Sequence, residues 1–371
     1  MTRNARRIMK VIITYASAGA GHLKAAEAIY DFIKKYRAEV DVKIIDILEE
    51  TNVFFRFGYS RGYSFLVNYV FLFWWLIFRL TYLKPCRKVL RPIAALINYL
   101  NTKKFRNFLI RENPDFIIST HFFPSEISAS LKADKKIKSQ VISVITDFGA
   151  HPFWISGGTS LYVVASDVTK KQLVGEGVPE NIIRDLGIPV HSKFLEDLDK
   201  IAIREKIGIK ASAFTVLIVT GSFGIGPIEK IVNVLYEDAR LLVACGRNKK
   251  LYKRLKLKNY PNCFVFGFVD NMQEMMGASD VIITKPGGLT IAELLAMELP
   301  PIFISAIPGQ ETENARVLER HGVGFSVRKL EVLKNIILDL KKNPEKLSRV
   351  KDKIKEIKKP LSVKEICDVV C

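Results

Sequence analysis

Residues 280–302, DVIITKPGGLTIAELLAMELPPI, narrow the choice of fold more than any other stretch. Val281–Thr284 is a short run of apolar and β-branched residues bounded by turn formers, which predicts a central strand of a parallel sheet. Residues 285–288 then form a glycine turn, 289–297 a helix, and the next strand begins near Ile302. The glycines let backbone approach a ligand, and the N–H groups opening the helix point above the carboxyl end of the strand. In an open α/β sheet ligands bind at that edge. Glu293, one turn into the helix, is near enough to meet a pair of ribose hydroxyls. An ordinary turn with Glu293 as a solvated helix residue fits the same letters.

A chain of 371 residues is long enough for two domains, each with its own core. Strand–helix alternation predicts an α/β protein, and a net charge of +19 favours an anionic partner, nucleic acid or an acidic membrane surface. The five cysteines are scattered and lack metal-ligand spacing, which suits reduced thiols rather than a disulfide frame or a zinc site. The basic start and the apolar run at 11–16 mimic a signal peptide, but the run is short and leads into a glycine turn, so it is read as the first strand.

That strand, Lys10–Tyr15, is followed by a turn at 17–22 (SAGAGH) with Gly19 and Gly21, and by a helix at 23–36. The glycine spacing is not the dinucleotide fingerprint. His22 therefore sits where strand gives way to helix. There it could cap or pack, or it could act as a general base, since imidazole titrates near neutrality. Further strands are expected at 40–46, 114–120, 140–147 and 161–166, and a loop at His191. His22, His121, Asp147 and His151 all fall at strand ends of one domain.

Between the second and third strands lies an unusual insertion. Residues 51–111 hold no Asp or Glu but eleven Arg and Lys, interleaved with sixteen aromatics that include Trp74 and Trp75. Residues 63–83 approach the length of a membrane span, but Asn68 and Arg79 interrupt them. Amphipathic helices lying in a membrane interface are the expected form, with aromatics at headgroup depth and cations on anionic lipid. A buried helical hairpin is the alternative. A nucleic-acid patch would account for the charge but not for so continuous an apolar run, so no nucleic-acid partner is expected.

Residues 197–212, charged and poor in aromatics, are read as a linker, after which the alternation restarts. The expected domains are 1–198, with 51–111 as a membrane-associating insertion, and 199–371, with a last helix at about 346–371 that can return to the N-terminal domain. A strand at 214–220 leads into the turn Gly221-Ser222-Phe223-Gly224-Ile225-Gly226, whose N–H groups suit a diphosphate, or which is only a tight turn. The Lys-rich tail at 334–364, broken at Pro344 and Pro360, is read as a solvated helical face.

Two domains of this plan resemble the GT-B glycosyltransferases: two Rossmann-like, doubly wound α/β domains with an interdomain cleft. In particular the chain resembles glycosyltransferase family 28, in its monogalactosyldiacylglycerol synthase and processive diacylglycerol glucosyltransferase branch. The resemblance is carried by SAGAGHLKAAEAI (17–29), TDFGAHPFWI (146–155), GIPV (187–190), CGRN (245–248), FGFVDNMQEMM (266–276), ITKPGGLTIAELLA (283–296) and PGQETENA (308–315).

The resemblance implies a UDP-hexose donor, carrying galactose or glucose, on the C-terminal domain. It implies a diacylglycerol-type lipid acceptor on the N-terminal domain, at the cytoplasmic face of the membrane in a peripheral, monotopic manner. It puts uracil contacts on Phe268 and Val269, and the ribose carboxylate on Glu293. Diphosphate contacts fall on Gly221, Ser222 and Gly224 and on Gly287, Gly288 and Thr290, and Arg247 is a further donor-binding residue. Sugar contacts fall on Gln310 and Glu311. His191 stands where the family commonly has an arginine near the phosphates. His22 and Asp147 match the catalytic positions, and Gly19, Gly21, His151, Trp74, Trp75 and Arg79 fall on the acceptor or membrane side. The expected reaction is an inverting transfer with no metal or other cofactor. A polyprenyl-linked acceptor, a UDP-sugar 2-epimerase and a catalytically silent membrane protein are the competing readings.

Overall fold

The structure, a computed structural model, describes residues 7–17, 19–59, 80–307 and 309–370. Two parallel six-stranded sheets organise them. The first holds β1 (Lys10–Tyr15), β2 (Asp41–Asp46), β3 (Phe116–Ser119), β4 (Gln140–Val144), β5 (Leu161–Val164) and β6 (Ile183–Asp185), in the order β2-β1-β3-β4-β5-β6. The second holds β7 (Thr215–Val219), β8 (Arg240–Ala244), β9 (Cys263–Phe266), β10 (Val281–Thr284), β11 (Pro301–Ile304) and β12 (Phe325–Val327), in the order β12-β11-β10-β7-β8-β9.

These strands are apolar on both faces because helices cover both. Side chains alternate across a strand. Val11 and Ile13 therefore pack with Ala26, Ile29 and Ile33 of the helix Ala20–Tyr36, while Ile12 meets Phe105, Leu109 and Phe123 on the other face. The chain falls into two compact units. One runs to His191 and also claims Gln310 and the helix Ser362–Val370; the other comprises Ser192–Ile307 and Glu311–Lys359. In each sheet the strand order reverses beside the first strand, between β1 and β3 and between β7 and β10. Those are the topological switch points where doubly wound sheets bind ligands.

Several expectations need correction. The first helix begins at Ala20, so His22 lies in its opening turn and not before it. The stretch read as a linker contains the helix Lys200–Ile207, tied down by buried charge. Arg204 donates from Nη2 to Asp280 Oδ2 (2.8 Å) and from Nε to the Ala278 carbonyl (2.8 Å), and Lys200 reaches Asp280 Oδ1 at 2.7 Å. The Lys-rich tail is no mere solvated face. Leu333, Ile337, Leu340, Val350 and Ile354 are buried along the helices Leu330–Lys342 and Pro344–Ile357. Beyond residue 346 there are two helices rather than one, and Ser362–Val370 buries Val363, Ile366, Cys367 and Val370 in the core of the first unit. Trp74, Trp75 and Arg79 lie outside the described residues.

Candidate active site

At the switch point of the first sheet three strand ends converge: β1 leads to His22, β3 to Thr120 and His121, and β4 to Thr146 and Asp147. The His22 Nδ1 lies 2.9 Å from the Thr120 carbonyl oxygen, which can only accept, so Nδ1 carries the proton. Its Nε2 then keeps a free lone pair, the form a general base requires. Burial holds the His22 pKa down at about 4, against a smaller upward pull from the Thr120 hydrogen bond. The ring is therefore neutral at physiological pH.

His121 stands edge-on to it with ring centroids 4.5 Å apart. Its Nδ1 accepts from the Phe123 amide (3.1 Å) and caps the helix Phe122–Ala133, so the capping role weighed for His22 is taken here by His121 and, one loop on, by His151. Burial, and secondarily the neighbouring His22, push its pKa well below the ordinary value. Asp147 Oδ2 accepts from Gln310 Nε2 at 3.1 Å, within the same unit. His151 is buried. Its Nδ1 accepts from the Phe153 amide (3.2 Å) and its Nε2 meets the Thr81 hydroxyl at 2.9 Å. Desolvation, then the charge of Arg87, lowers its pKa to about 4. His191 points its Nε2 at Asp31 Oδ2, 3.6 Å away on the first helix.

Beneath this cluster runs a buried row of hydroxyls. Thr14 and Ser119 are bonded at 2.8 Å across β1 and β3, and Ser143 of β4 meets Ser125. Their register, Thr14↔Ser119 and Ser119↔Ser143, puts them in line on one face.

Next to the cluster in chain order is a helix whose amphipathicity is inverted. Lys84–Asn101 buries none of its residues. Val89, Leu90, Ile93, Leu96, Ile97 and Leu100 are all exposed and recur at helical spacing on one face. The polar side chains instead hold it to the unit: Arg87 to Glu176 (2.7 Å), Arg91 to the Ile155 carbonyl and Asn98 to Glu126 (2.9 Å). Val53 and Phe54 near the start of the insertion are 78% and 91% exposed, so the apolar surface extends beyond one helix. No helix among the described residues is long and apolar enough to cross a membrane.

The second unit builds its switch point from backbone. After β7, Gly221 and Gly224 take φ of +84° and +59°, a region L side chains avoid. A Cβ on Gly224 would stand 2.0 Å from the Cys245 carbonyl oxygen. The loop after β8 grips this turn, with the Arg247 amide on the Ser222 carbonyl (2.8 Å) and Asn248 Nδ2 on the Gly224 carbonyl (3.1 Å). The Arg247 guanidinium lies 5.4 Å from the Phe268 ring centroid. Across the switch point, Gly287 caps the helix Gly288–Ala296, which carries Thr290 and Glu293. Asn314, wholly buried and not foreseen as a site residue, donates to the Pro286 carbonyl at 3.0 Å and fixes the shape of that turn. Glu311 Oε2 accepts from the Ile307 amide at 2.7 Å, and burial raises its pKa. Among the described residues no group of three His, Cys, Asp or Glu is placed to hold a metal ion.

Residues 22–190 match the family described as monogalactosyldiacylglycerol (MGDG) synthase, and residues 215–366 match the glycosyltransferase family 28 C-terminal domain. A processive diacylglycerol beta-glucosyltransferase of Staphylococcus haemolyticus is 30% identical over 369 residues, 96% of this chain and 91% of that protein. The MurG structure of Acinetobacter baumannii aligns with a TM-score of 0.59 at 15% identity, covering 98% and 99% of the two chains. The UDP-GlcNAc 2-epimerase of Neisseria meningitidis aligns at 0.63 with 14% identity, covering 97% and 99%. The two structural likenesses speak for the GT-B fold, and the sequence matches for the family. This chain belongs to glycosyltransferase family 28, in its monogalactosyldiacylglycerol synthase and processive diacylglycerol glucosyltransferase branch, and is a UDP-sugar-dependent hexosyltransferase.

Proposed function

We propose that the enzyme transfers glucose from UDP-glucose to the hydroxyl of diacylglycerol, with inversion, at the cytoplasmic face of a membrane it binds peripherally. His22 Nε2 takes the proton of the acceptor hydroxyl as that oxygen attacks the anomeric carbon. The new C–O bond forms as the bond to the diphosphate breaks, and UDP leaves with the electron pair. Asp147, held by Gln310, lies at the neighbouring strand end and serves acceptor orientation or shares the proton. In the second unit the turns at Gly221, Ser222 and Gly224 and at Gly287, Gly288 and Thr290 offer N–H groups to the diphosphate, where charge grows in the transition state. Arg247, Phe268 and Val269 face the base, Glu293 the ribose, and Glu311 the sugar. In this reading no step requires a metal.

The observation that carries the lipid acceptor is the inverted helix Lys84–Asn101, which turns six aliphatic side chains outward in the unit that holds His22. Each such side chain withdrawn from water is worth about 1.5 kcal/mol or more, against about 1 kcal/mol per cation near an anionic surface. On this helix six outward aliphatic side chains stand against four cations, so there the apolar contribution leads and the cations assist. The name of the staphylococcal relative, a diacylglycerol beta-glucosyltransferase, supports glucose and diacylglycerol as the pair.

Mass spectrometry of the products made by the purified protein tests this. Vesicles containing diacylglycerol or a polyprenyl-linked sugar are incubated with UDP-glucose or UDP-galactose. β-Hexosyl-diacylglycerol, formed fastest from UDP-glucose, is the expected product. An isomerised nucleotide sugar, or sugar transfer to the polyprenyl lipid alone, would overturn the assignment.

A further inference from the structure

Behind a catalytic histidine one expects a carboxylate, and among the described residues His22 has none bonded to it. Its Nδ1 is instead enclosed by two threonines from adjacent strand ends. The Thr120 carbonyl and the Thr146 Oγ1 each lie 2.9 Å from Nδ1, and Thr146 Oγ1 is also 3.4 Å from that carbonyl. Thr120 grips the same residue a second time, its own hydroxyl donating to the His22 carbonyl at 2.8 Å. Both threonines are nearly fully buried, and the Thr120 amide is itself anchored on the Thr14 carbonyl at 3.0 Å.

One hydrogen arrangement satisfies every atom. The Thr120 oxygen cannot donate, so a proton on Nδ1 points between it and Thr146 Oγ1, while the Thr146 hydroxyl turns its own hydrogen to the Thr120 carbonyl. In the opposite tautomer the Thr146 hydroxyl would have to turn to Nδ1, and the Thr120 carbonyl would face the Nδ1 lone pair at 2.9 Å, a buried mismatch costing about 1–3 kcal/mol. His121 does not compete, because its Nδ1 is taken up as an acceptor by the Phe123 amide.

We infer that Thr146 is a positioning residue: the Thr120 carbonyl sets the Nδ1–H tautomer of His22, and the Thr146 hydroxyl, bridging that carbonyl and Nδ1, fixes the ring so that Nε2 is aimed at the acceptor hydroxyl. A carboxylate would draw a second charge into this pocket. Neutral oxygens orient the ring without one, and when Nε2 gains the acceptor proton the strengthened Nδ1–H bond to Thr120 steadies the imidazolium. The inference rests on the reading of His22 as the base, and the two can fail separately.

The test compares full-length wild type, Thr146→Val, Thr146→Ser and His22→Ala, each checked for folding by thermal unfolding. Turnover is followed as UDP release with UDP-glucose and diacylglycerol vesicles, and the tautomer by the 15N shifts of labelled histidine in the unliganded protein. Thr146→Val should lower kcat about tenfold, the worth of one lost hydrogen bond, leave KM unchanged, and move the His22 Nδ1 shift as one of the two oxygens around that nitrogen is lost. Thr146→Ser should restore both. If Thr146→Val leaves kcat and nitrogen shifts at wild-type values while His22→Ala is inactive, the positioning role is wrong. If His22→Ala is fully active, the base assignment falls, and the nitrogen shifts of Thr146→Val still decide whether the clamp exists.

Discussion

The two units share a plan of six parallel strands with a switch point beside the first, yet they equip that point in opposite ways. The first brings side chains to it: His22, Thr120, His121, Thr146 and Asp147, on a bed of buried hydroxyls. The second brings main chain: two glycine turns, held from behind by Asn248 and Asn314. Side-chain groups can move a proton at a chosen atom, whereas backbone N–H groups can only meet charge. One sheet is thus suited to bond making and the other to holding an anion, and the first should be sensitive to chemistry where the second is sensitive to conformation.

The sharpest way to break that contrast is at the proposed base. His22→Ala should cost roughly 10²–10⁴ in kcat with donor KM and melting temperature close to wild type; a change confined to KM would mean that the first unit also acts by binding. The next effect is on stability against pH. Buried His151 has its pKa lowered to about 4, so between pH 6.5 and 4 the unfolded chain binds a proton that the folded one refuses. Stability is unaffected by this group above pH 6.5, falls as pH drops towards 4 and then levels off, a loss of roughly 3 kcal/mol. Urea unfolding at pH 7 and pH 4.5 reads it together with the like-signed contributions of His22 and His121, and His151→Gln should make the dependence shallower without removing it.

A smaller effect belongs to the second unit. Gly224→Ala puts a Cβ against the Cys245 carbonyl at positive φ, and should cost about 1–3 kcal/mol in stability and raise donor KM; an unaltered KM would detach that turn from the donor. The smallest effect concerns the inverted helix. Leu96→Ser should lower flotation with anionic vesicles by about 1.5 kcal/mol, and added salt should weaken the binding without abolishing it.

Much of this was legible in the letters. Short apolar runs marked most of the strands, glycine turns closed β1, β7 and β10, and the motifs marked both switch points. The edge strands β6 and β12 escaped because three residues leave too little periodicity to see. The linker reading failed at residues 200–207 because charge normally signals solvent, whereas here Arg204 and Lys200 converge on Asp280, a partner eighty positions away from Lys200. The clamp on His22 was equally hidden. A threonine after a strand carries no sequence signal, and only the pairing of β1, β3 and β4 brings Thr120 and Thr146 to one imidazole nitrogen. The insertion was read for its charge and aromatic content, but that Arg87 and Arg91 face the protein while Leu90, Leu96 and Leu100 face outward depends on partners, Glu176 and the Ile155 carbonyl, that no local pattern names.

Ser362–Val370 lodges four side chains against the helix that carries His22, and Arg37 of that helix's end is bonded to Asp368 at 2.8 Å. On the ribosome, then, the half that emerges first must wait with its core ajar until the half that follows has been made. A premature stop between β12 and Ser362 would spare every proposed donor residue named above and still leave the proposed base in an unfinished protein.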